Sequence, residues 1–183
     1  KKKKLSKNFI FLNRSINQQQ YDKDANGNEV LISGLRGAVL EGGSRSAKTT
    51  DSVDTIIKLC VQAQNPLVIF VIKETQVSFK TSLYSDFNNR LKHYGLLSPF
   101  DDAKEVSVFK INGSKIHFMG ADKVSKFEGA GCDYAYFNEA LNVPQEIFDQ
   151  VEMRCRFFWW IDYNPRVTLH WIYDKVIPRN DVG

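Results

Sequence analysis

The sequence predicts a three-layer α/β domain built on a mainly parallel β-sheet. Residues 67–72 and 134–137 are uninterrupted apolar or aromatic runs, the pattern of strands that are buried on both faces of a parallel sheet. Amphipathic stretches of helical period separate these runs, as helices that connect parallel strands do. The chain has 183 residues and a hydrophobic content of 43%, which is enough for one well-buried core and too little for two large domains.

The first predicted elements are a strand, a polar loop and a helix. Residues 38–41 form a short buried strand, and residues 42–49 form a loop rich in glycine and serine. The helix that follows has an apolar stripe at steps of three and four, while its other face is polar. Asn65 and Pro66 end this helix. The stripe consists of Val53, Ile56, Ile57, Cys60 and Val61, and the polar face consists of Asp51, Asp54, Lys58 and Gln62.

A second helix and a β-hairpin come after the first apolar run. The helix carries large apolar residues at a spacing of four and stops near Gly95. Residues 106–111 and 115–119 are two strands joined at Asn112 and Gly113, because this dipeptide supplies both positive φ angles of a type I′ turn. The hairpin adds antiparallel strands beside the parallel core. The apolar residues of the helix are Phe79, Leu83, Phe87 and Leu91.

The C-terminal part is predicted to be a strand, a helix and a further strand. After the run at residues 134–137, a helix spans residues 144–156, and the last strand spans residues 157–161 and closes in a turn at residues 162–165. No Gly, Pro or Asn separates this helix from this strand, which is unusual for such a connection. We therefore expect a connecting loop that this sequence lacks.

Composition narrows the class of protein only a little. The net charge of +4 comes from 25 basic and 21 acidic residues, a mild bias toward a polyanionic partner. The cysteines form no CxxC pair and stand at no metal-ligand spacing from the histidines, which favours a reduced, intracellular protein without structural zinc. No run approaches the roughly 20 apolar residues of a membrane span, so no membrane association is expected. We assign residues 1–34 to an N-terminal extension and residues 35–183 to one domain.

The loop at residues 42–49 fits the phosphate-binding Walker A pattern with one departure. It is G-x-x-x-x-A-K-T, so that Ala47 stands where the second glycine usually stands. Backbone N–H groups of such a loop and of the following helix N-terminus donate to phosphate oxygens, which requires small residues for close approach. The small residues here are Gly42, Gly43, Ser44 and Ser46.

Lys48 and Thr49 supply the charged group and the metal-binding group of this pattern. The Lys48 ammonium would lie between the β- and γ-phosphates and the Thr49 hydroxyl would ligate Mg²⁺, so ATP and Mg²⁺ are the predicted ligands. The alternative is a Gly/Ser-rich turn that holds no nucleotide, which the extra methyl group of Ala47 favours. We prefer the nucleotide site, because Lys-Thr at a helix start has little packing role.

A second group of residues is predicted to act on the water that attacks the γ-phosphate. Glu139 follows a buried strand and is placed to orient or polarise that water. Asn138 occupies the usual Walker B aspartate position and is the second metal candidate, although an amide holds a metal-bound water more weakly than a carboxylate does. The alternative is that both residues only cap the next helix. Since a strand and the hairpin separate Lys48 from Glu139, the order of elements suits the additional-strand class of P-loop NTPases.

Several short motifs in order resemble the phage large terminase family, over residues 35–177. They are the loop at residues 42–49, residues 112–120, Tyr-Phe-Asn-Glu-Ala at residues 136–140, and Asp-Tyr-Asn-Pro at residues 162–165 followed by His170 and Trp171. The resemblance implies that Arg45 senses or stabilises the γ-phosphate. It also implies that Asn164 belongs to a coupling motif that reports nucleotide state to the DNA-moving parts. From the residues alone, a surface arginine and an ordinary Asn-Pro turn remain the alternatives.

By this resemblance the chain is the ATPase domain of a DNA-packaging motor, whose Mg²⁺-dependent ATP hydrolysis drives double-stranded DNA into a procapsid. The implied partners are the portal protein, the small terminase subunit and further copies in a ring, in the host cytoplasm during virion assembly. Little of the chain follows Pro165, so the family's nuclease domain is taken as absent and no DNA cleavage is expected.

Two departures from the family pattern, Ala47 and Asn138, make slow hydrolysis by the isolated domain an expectation. They also leave open a docking module that binds nucleotide without hydrolysing it. A helicase-like ATPase stimulated by nucleic acid is a further alternative. Gln18 to Gln20 lie upstream of the loop and are candidates for reading the nucleotide base.

Overall fold

The computed structural model describes residues 6–27, 29–96, 108–166 and 169–183. These residues contain five helices and eight strands, with short helical turns between some of them. The helices are α1 Lys7–Asn17, α2 Lys48–Gln62, α3 Gln76–Thr81, α4 Leu83–His93 and α5 Gln145–Arg154. The strands are β1 Gln20–Lys23, β2 Glu29–Ser33, β3 Gly37–Glu41, β4 Val68–Lys73, β5 Val108–Ile111, β6 Ser114–Gly120, β7 Cys132–Phe137 and β8 Cys155–Tyr163.

Six strands form one sheet in the order β3-β8-β7-β4-β6-β5. All neighbouring pairs are parallel except β5 and β6, which are antiparallel. Strand β8 lies between β3, which leads into the phosphate loop, and β7, which leads into Asn138 and Glu139. A strand inserted between these two is the defining feature of the additional-strand class. The predicted fold class is therefore confirmed, and β1 and β2 form a separate two-stranded sheet.

Helices cover both faces of the six-stranded sheet and bury two apolar cores. Helices α1 to α4 contribute to the core on one face, which includes Ile56 and Phe87. Helix α5 and the helical turn Ile172–Val176 contribute to the core on the other face, which includes Phe148. The sheet is thus the middle layer of three, as the uninterrupted apolar runs predicted.

Strand β8 shows how one strand serves both cores. Its side chains alternate between the faces of the sheet, so that Trp160 belongs to the core beneath α2 and Trp159 to the core beneath α5. Both indole rings are fully buried. The Trp160 Nε1 donates to Ser52 Oγ of α2 at 3.0 Å. The even-numbered residues of β8 therefore face α2, the helix that begins at Lys48.

The helices differ from their predicted forms in two details. Val61 belongs to the predicted buried stripe of α2 but is 46% exposed, and Asp51 belongs to the predicted polar face but is buried. The predicted second helix is broken at Ser82, whose φ of −138° and ψ of −78° are not helical. The four apolar residues that predict this helix are nevertheless all buried, because the spacing of four holds on either side of the break.

The hairpin forms as predicted at its turn. Asn112 has a φ of 51° and Gly113 a φ of 78°, the two positive angles of a type I′ turn. The strands on either side are β5 and β6, and the predicted residues 106 and 107 lie outside the described residues.

The expected loop between the last helix and the last strand is not needed. Helix α5 ends at Arg154 and β8 begins at Cys155, whose φ of −78° and ψ of 119° already belong to an extended chain. The two elements join directly, so the predicted helix end and strand start are each wrong by two residues. Strand β8 also continues through Tyr163, where the sequence predicted a turn.

The chain termini contribute elements that the sequence did not predict. Helix α1 packs against α2, and Asn8 Nδ2 donates to the carbonyl oxygen of Ser46 in the phosphate loop at 2.9 Å. At the other end, Val182 pairs in parallel with Gly37 at the open edge of β3. Among the described residues, no helix combines the length and the apolar content needed to cross a membrane.

Candidate nucleotide-binding site

A cleft of about 310 Å³ lies at the carboxyl ends of β3 and β8. All of the predicted site residues except Gly42 and Asn138 line this cleft, and they come from three separate parts of the chain. The cleft is lined by Gly43, Ser44, Arg45, Ser46, Ala47, Lys48, Thr49, Thr50, Glu139, Asp162, Tyr163 and Asn164. Ligands of open parallel α/β sheets bind at this edge, outside the carboxyl ends of the strands.

The phosphate loop adopts the left-handed backbone conformation at two non-glycine residues. Arg45 has a φ of 69°, and Ala47 has a φ of 63° and a ψ of 7° directly before α2. Glycine enters this region freely, whereas an L-residue is strained in it. The geometry therefore explains why the Walker A pattern has glycine at this position. Ala47 is exposed and adopts the same conformation.

Lys48 is buried and joins the loop to the end of β8. Its Nζ donates to the carbonyl oxygens of Gly42 at 2.6 Å and Gly43 at 3.1 Å. It also reaches Ser46 Oγ at 2.8 Å and Asn164 Oδ1 at 3.0 Å. The ammonium is thus held at the centre of the cleft. Its contact with Asn164 places the predicted coupling residue directly beside the predicted phosphate-binding residue.

Thr49 lies next to a buried cluster of polar side chains. Its hydroxyl donates to Asp162 Oδ2 at 3.3 Å, and the amide nitrogen of Asn138 approaches the same hydroxyl at 3.5 Å. Asn138 Nδ2 also donates to Asp162 Oδ1 at 3.2 Å and to Tyr136 Oη at 3.0 Å. The predicted metal candidates Thr49 and Asn138 are therefore adjacent, with a carboxylate between them.

Asp162 is the centre of this cluster and is 2% exposed. Besides Thr49 and Asn138, it accepts hydrogen bonds from Tyr136 Oη at 2.6 Å and from the backbone N–H of Glu139 at 2.8 Å. Burial raises the pKa of the Asp162 carboxyl, while these hydrogen bonds and the Lys48 charge act in the opposite direction. Burial also raises the pKa of the Tyr136 hydroxyl well above its ordinary value, so Tyr136 acts as a donor.

Glu139 projects into the cleft from the end of β7. Its φ of 54° and ψ of 49° turn the chain sharply there, and its side chain is 54% exposed. Its carboxylate lies 3.3 Å from Lys73 Nζ at the end of β4. Lys73 is buried and also donates to Ser82 Oγ at 3.1 Å. The predicted catalytic carboxylate is therefore solvent-accessible and held by a fixed positive charge.

Arg45 lies in the cleft, whereas His170 and Trp171 of the last predicted motif lie outside it. Arg45 is exposed and lines the cleft, on the loop that carries Lys48. His170 Nε2 lies 3.1 Å from the carbonyl oxygen of Leu141, and Trp171 Nε1 donates to that of Val143 at 3.1 Å. These last two residues hold the segment that follows Glu139 and do not enter the cleft.

The glutamines considered for base recognition lie at the opposite end of the sheet. Gln19 Nε2 donates to the carbonyl oxygens of Leu35 at 2.9 Å and Phe157 at 2.8 Å. Leu35 precedes β3, so these contacts are remote from the carboxyl ends of the strands. Gln19 therefore connects the starts of β3 and β8, away from the cleft.

Two residues of the site were missed from the sequence, Asp162 and Lys73. The sequence contains a feature that could have identified each of them. Lys73 ends a buried strand of a parallel sheet, and the ends of neighbouring strands meet at one edge. Asp162 is two residues beyond Trp160, so the strand period places both on one face. From the sequence, Asp162 is interpreted only as the start of a closing turn and of the Asp-Tyr-Asn-Pro motif.

Comparison with known proteins gives the family of this chain. The solved large terminase of a thermophilic bacteriophage matches with a TM-score of 0.69 and 16% identity, over 80% of this chain and 38% of that chain. The same terminase in complex with ADP matches with a TM-score of 0.68 and 18% identity, over 80% and 38%. The large terminase ATPase domain of Thermus phage P74-26 matches with a TM-score of 0.51 and 16% identity, over 78% and 64%.

At these identities the solved structures show the shared fold, and the chain spans 38% of the length of the first of these terminases. Comparison with curated protein sequences finds no match. The family model described as phage terminase large subunit matches residues 36–182, which is most of the chain. This chain therefore belongs to the phage terminase large subunit family.

Proposed function

We propose that this chain hydrolyses ATP to ADP and phosphate, and that the hydrolysis powers movement of double-stranded viral DNA into a procapsid. The observation that carries the proposal is the meeting of Lys48, Thr49 and Glu139 in one cleft. These are the three groups that a P-loop ATPase uses to hold the phosphates, the metal ion and the attacking water. They follow β3 and β7, the two strands that lie on either side of β8.

The loop and Lys48 are suited to bind the triphosphate. The N-terminal end of α2 presents backbone N–H groups to the cleft, and a helix N-terminus favours an anion. The Lys48 ammonium would exchange contacts with the carbonyl oxygens of Gly42 and Gly43 for contacts with phosphate oxygens. Arg45 is exposed at the same loop, where its guanidinium would stabilise charge on the γ-phosphate.

The residues at the cleft also fit a magnesium ion, which prefers oxygen ligands. The Thr49 hydroxyl and the Asp162 carboxylate are 3.3 Å apart, and Thr49 and Asn138 are the residues proposed to hold the ion. When bound, Mg²⁺ would neutralise charge on the β- and γ-phosphates. Glu139 would orient the attacking water and accept its proton, because its carboxylate is accessible and its backbone is fixed by Asp162.

Coupling to DNA movement would pass through Asn164. Its side-chain oxygen contacts Lys48, so a change in the phosphates that Lys48 holds would alter this contact at the end of β8. Solved terminases of the same fold are described as complexes with ADP and with ATP-gamma-S, which supports nucleotide binding here. In this proposal the partners are double-stranded DNA, the portal protein, the small terminase subunit and further copies of the chain, in the host cytoplasm.

Steady-state ATP hydrolysis and binding of a fluorescent ATP analogue, each with and without double-stranded DNA, test the proposal. Glu139→Gln should retain binding and lose hydrolysis by a factor of about 10² or more, whereas Lys48→Ala should lose binding. Glu29→Gln, an exposed carboxylate on β2, is the matched control and should behave as wild type. Normal hydrolysis by Glu139→Gln would refute the assignment of the base.

A second candidate function is nucleotide binding without turnover, which the amide at position 138 favours. This function predicts tight binding of the analogue and no release of phosphate by the wild type, with or without DNA. Any wild-type turnover that Glu139→Gln abolishes excludes it.

A further inference from the structure

We propose that Asp162, and not the residue at position 138, supplies the carboxylate that organises the metal side of the nucleotide site, with Asn138 as its hydrogen-bond donor. The inference rests on the proposed function and names the group through which that site controls its metal ion. The Walker B position of this chain carries a neutral amide. The structure supplies the missing negative charge from the neighbouring strand.

Strand register brings the two residues side by side. Phe137 of β7 pairs with Ile161 of β8, so the next residues along, Asn138 and Asp162, lie next to each other. Both are at even positions, on the face that Trp160 presents to Ser52 of α2. The first turn of that helix holds Thr49. The amide and the carboxylate are therefore both directed at the metal-binding hydroxyl, and the carboxylate is on the strand nearer the phosphate loop.

Asp162 affects a metal ion through the hydrogen bond that the Thr49 hydroxyl donates to it. A hydroxyl has one proton to donate and two lone pairs. The Thr49 proton is directed to Asp162 Oδ2. One lone pair of the Thr49 oxygen faces Asn138 Nδ2 at 3.5 Å, and the other can face a cation. A carboxylate acceptor also increases the negative charge on that oxygen. Asp162 acts on the metal through Thr49, so it is a positioning residue.

The orientation of the Asn138 amide follows from the same carboxylate. An ionised carboxylate only accepts hydrogen bonds, so the amide must turn its nitrogen toward Asp162. The nitrogen contacts Asp162 at 3.2 Å and Tyr136 Oη at 3.0 Å, and Tyr136 in turn donates to Asp162. Both amide hydrogens are thereby used within the cluster. An aspartate at position 138 would instead place a second negative charge against Asp162.

Asp162 also connects Thr49, which would bind the metal ion, to Glu139, which would orient the attacking water. Its Oδ2 accepts from Thr49, and its Oδ1 accepts from the backbone N–H of Glu139 at 2.8 Å. Glu139 stands in the left-handed conformation, which needs support from its surroundings. One buried carboxylate thus fixes both the metal-binding hydroxyl and the backbone of the proposed base. An asparagine at position 162 could not accept these two hydrogen bonds on separate oxygens, because an amide has only one oxygen.

The test measures the Mg²⁺ dependence of nucleotide binding and needs no turnover. A fluorescent ATP analogue is titrated in EDTA and then at increasing Mg²⁺, with wild type, Asp162→Asn, Tyr136→Phe and the exchanged double variant Asn138→Asp/Asp162→Asn. Tyr136→Phe is the matched control, since it removes the hydroxyl that donates to Asp162 and accepts from Asn138 without changing the charge of the cluster. Urea unfolding in EDTA establishes that each variant is folded.

For Asp162→Asn we expect the Mg²⁺ concentration at half-maximal effect to rise by about tenfold or more, with unchanged affinity in EDTA. Tyr136→Phe should stay near wild type, and the exchanged double variant should recover most of the loss because it restores one carboxylate beside Thr49. If Asp162 served only in packing, Asp162→Asn would lower the free energy of unfolding and leave the Mg²⁺ dependence of nucleotide binding unchanged.

Wild-type Mg²⁺ dependence in Asp162→Asn would overturn the inference while leaving the proposed function intact. An equal loss in Asp162→Asn and in the exchanged variant would also overturn it, since the effect would then be structural. If the wild type binds no nucleotide in EDTA or in Mg²⁺, the proposed function fails and this inference fails with it.

Discussion

Replacing Ala47 with glycine should stabilise this protein, although glycine usually destabilises. Ala47 has a φ of 63° and a ψ of 7°, a conformation that costs an L-residue about 1–2 kcal/mol and glycine nothing. Against this gain, glycine gives the unfolded chain more freedom, which lowers stability by about 0.4–1 kcal/mol. The balance is a stabilisation of about 0.5–1 kcal/mol, and for a chain of this length it corresponds to a rise in Tm of about 1–4 °C.

Ala25→Gly is the matched control for this prediction. Ala25 is exposed in the turn between β1 and β2, and it is not among the residues with positive φ. Only the unfolded-state effect applies there, so this variant should lose about 0.4–1 kcal/mol. The difference between the two variants isolates the strain of the left-handed conformation, because the unfolded-state effect cancels.

Urea unfolding without nucleotide, followed by circular dichroism, measures both variants. The free energies of unfolding should differ by about 1–2 kcal/mol, with Ala47→Gly the more stable. If Ala47→Gly loses as much stability as Ala25→Gly, the left-handed conformation carries no strain in this loop and the reasoning is refuted. Binding of the ATP analogue by Ala47→Gly then shows separately whether the methyl group crowds the phosphates.

Three further predictions concern the base, the buried carboxylate and the core. Lys73→Met should lower ATP turnover by about tenfold at unchanged affinity for the ATP analogue, because Glu139 loses the charge that holds it; a parallel loss of affinity would contradict this. The pKa of Asp162 is raised by burial above its ordinary value of 3.8, so the folded protein binds that proton more tightly than the unfolded chain does. Its ionisation therefore lowers the free energy of unfolding of the wild type. The free energy of unfolding of Asp162→Asn minus that of wild type should increase as the pH rises above about 4 in EDTA; a flat or falling difference would contradict the shift. Phe148→Ala should lower the free energy of unfolding by about 3–5 kcal/mol, because Phe148 is 2% exposed and packs on Phe137, Trp159 and Trp171. Met153→Ala, at a residue that is 66% exposed, should change it by less than about 0.5 kcal/mol, and similar losses in both would contradict the assignment of the core.

Local patterns in the sequence predicted most of the fold. Residues 67–72 lack polar alternation, and Val68–Lys73 form β4 at the centre of the sheet. Asn112 and Gly113 predicted a type I′ turn and adopt its two positive φ angles. The loop before Lys48 fits the Walker A pattern, whose residues are adjacent in the chain. In each case, the property that identifies the element lies within a few consecutive residues.

The predictions of burial were wrong where residues far apart in the chain determine which part of a helix is covered. Val61 fits the apolar stripe of α2 but lies beyond the area that other elements cover. Asp51 fits the polar face but is buried, and helix α1 of the N-terminal part of the chain packs against α2. Helix α1 itself was missed. Periodicity shows which face of a helix is apolar, and it does not show how much of the helix another element will cover.

By itself the sequence determined the class of fold, the phosphate loop with Lys48 and Thr49, and the position of Glu139 after a buried strand. The tertiary structure alone decided that Asp162 fills the space between Thr49 and Asn138, and that Lys73 reaches Glu139. The physical reason is that the order and register of parallel strands are set by packing between segments far apart in the chain. A charge missing from one strand is therefore supplied by its neighbour, which no local pattern reveals.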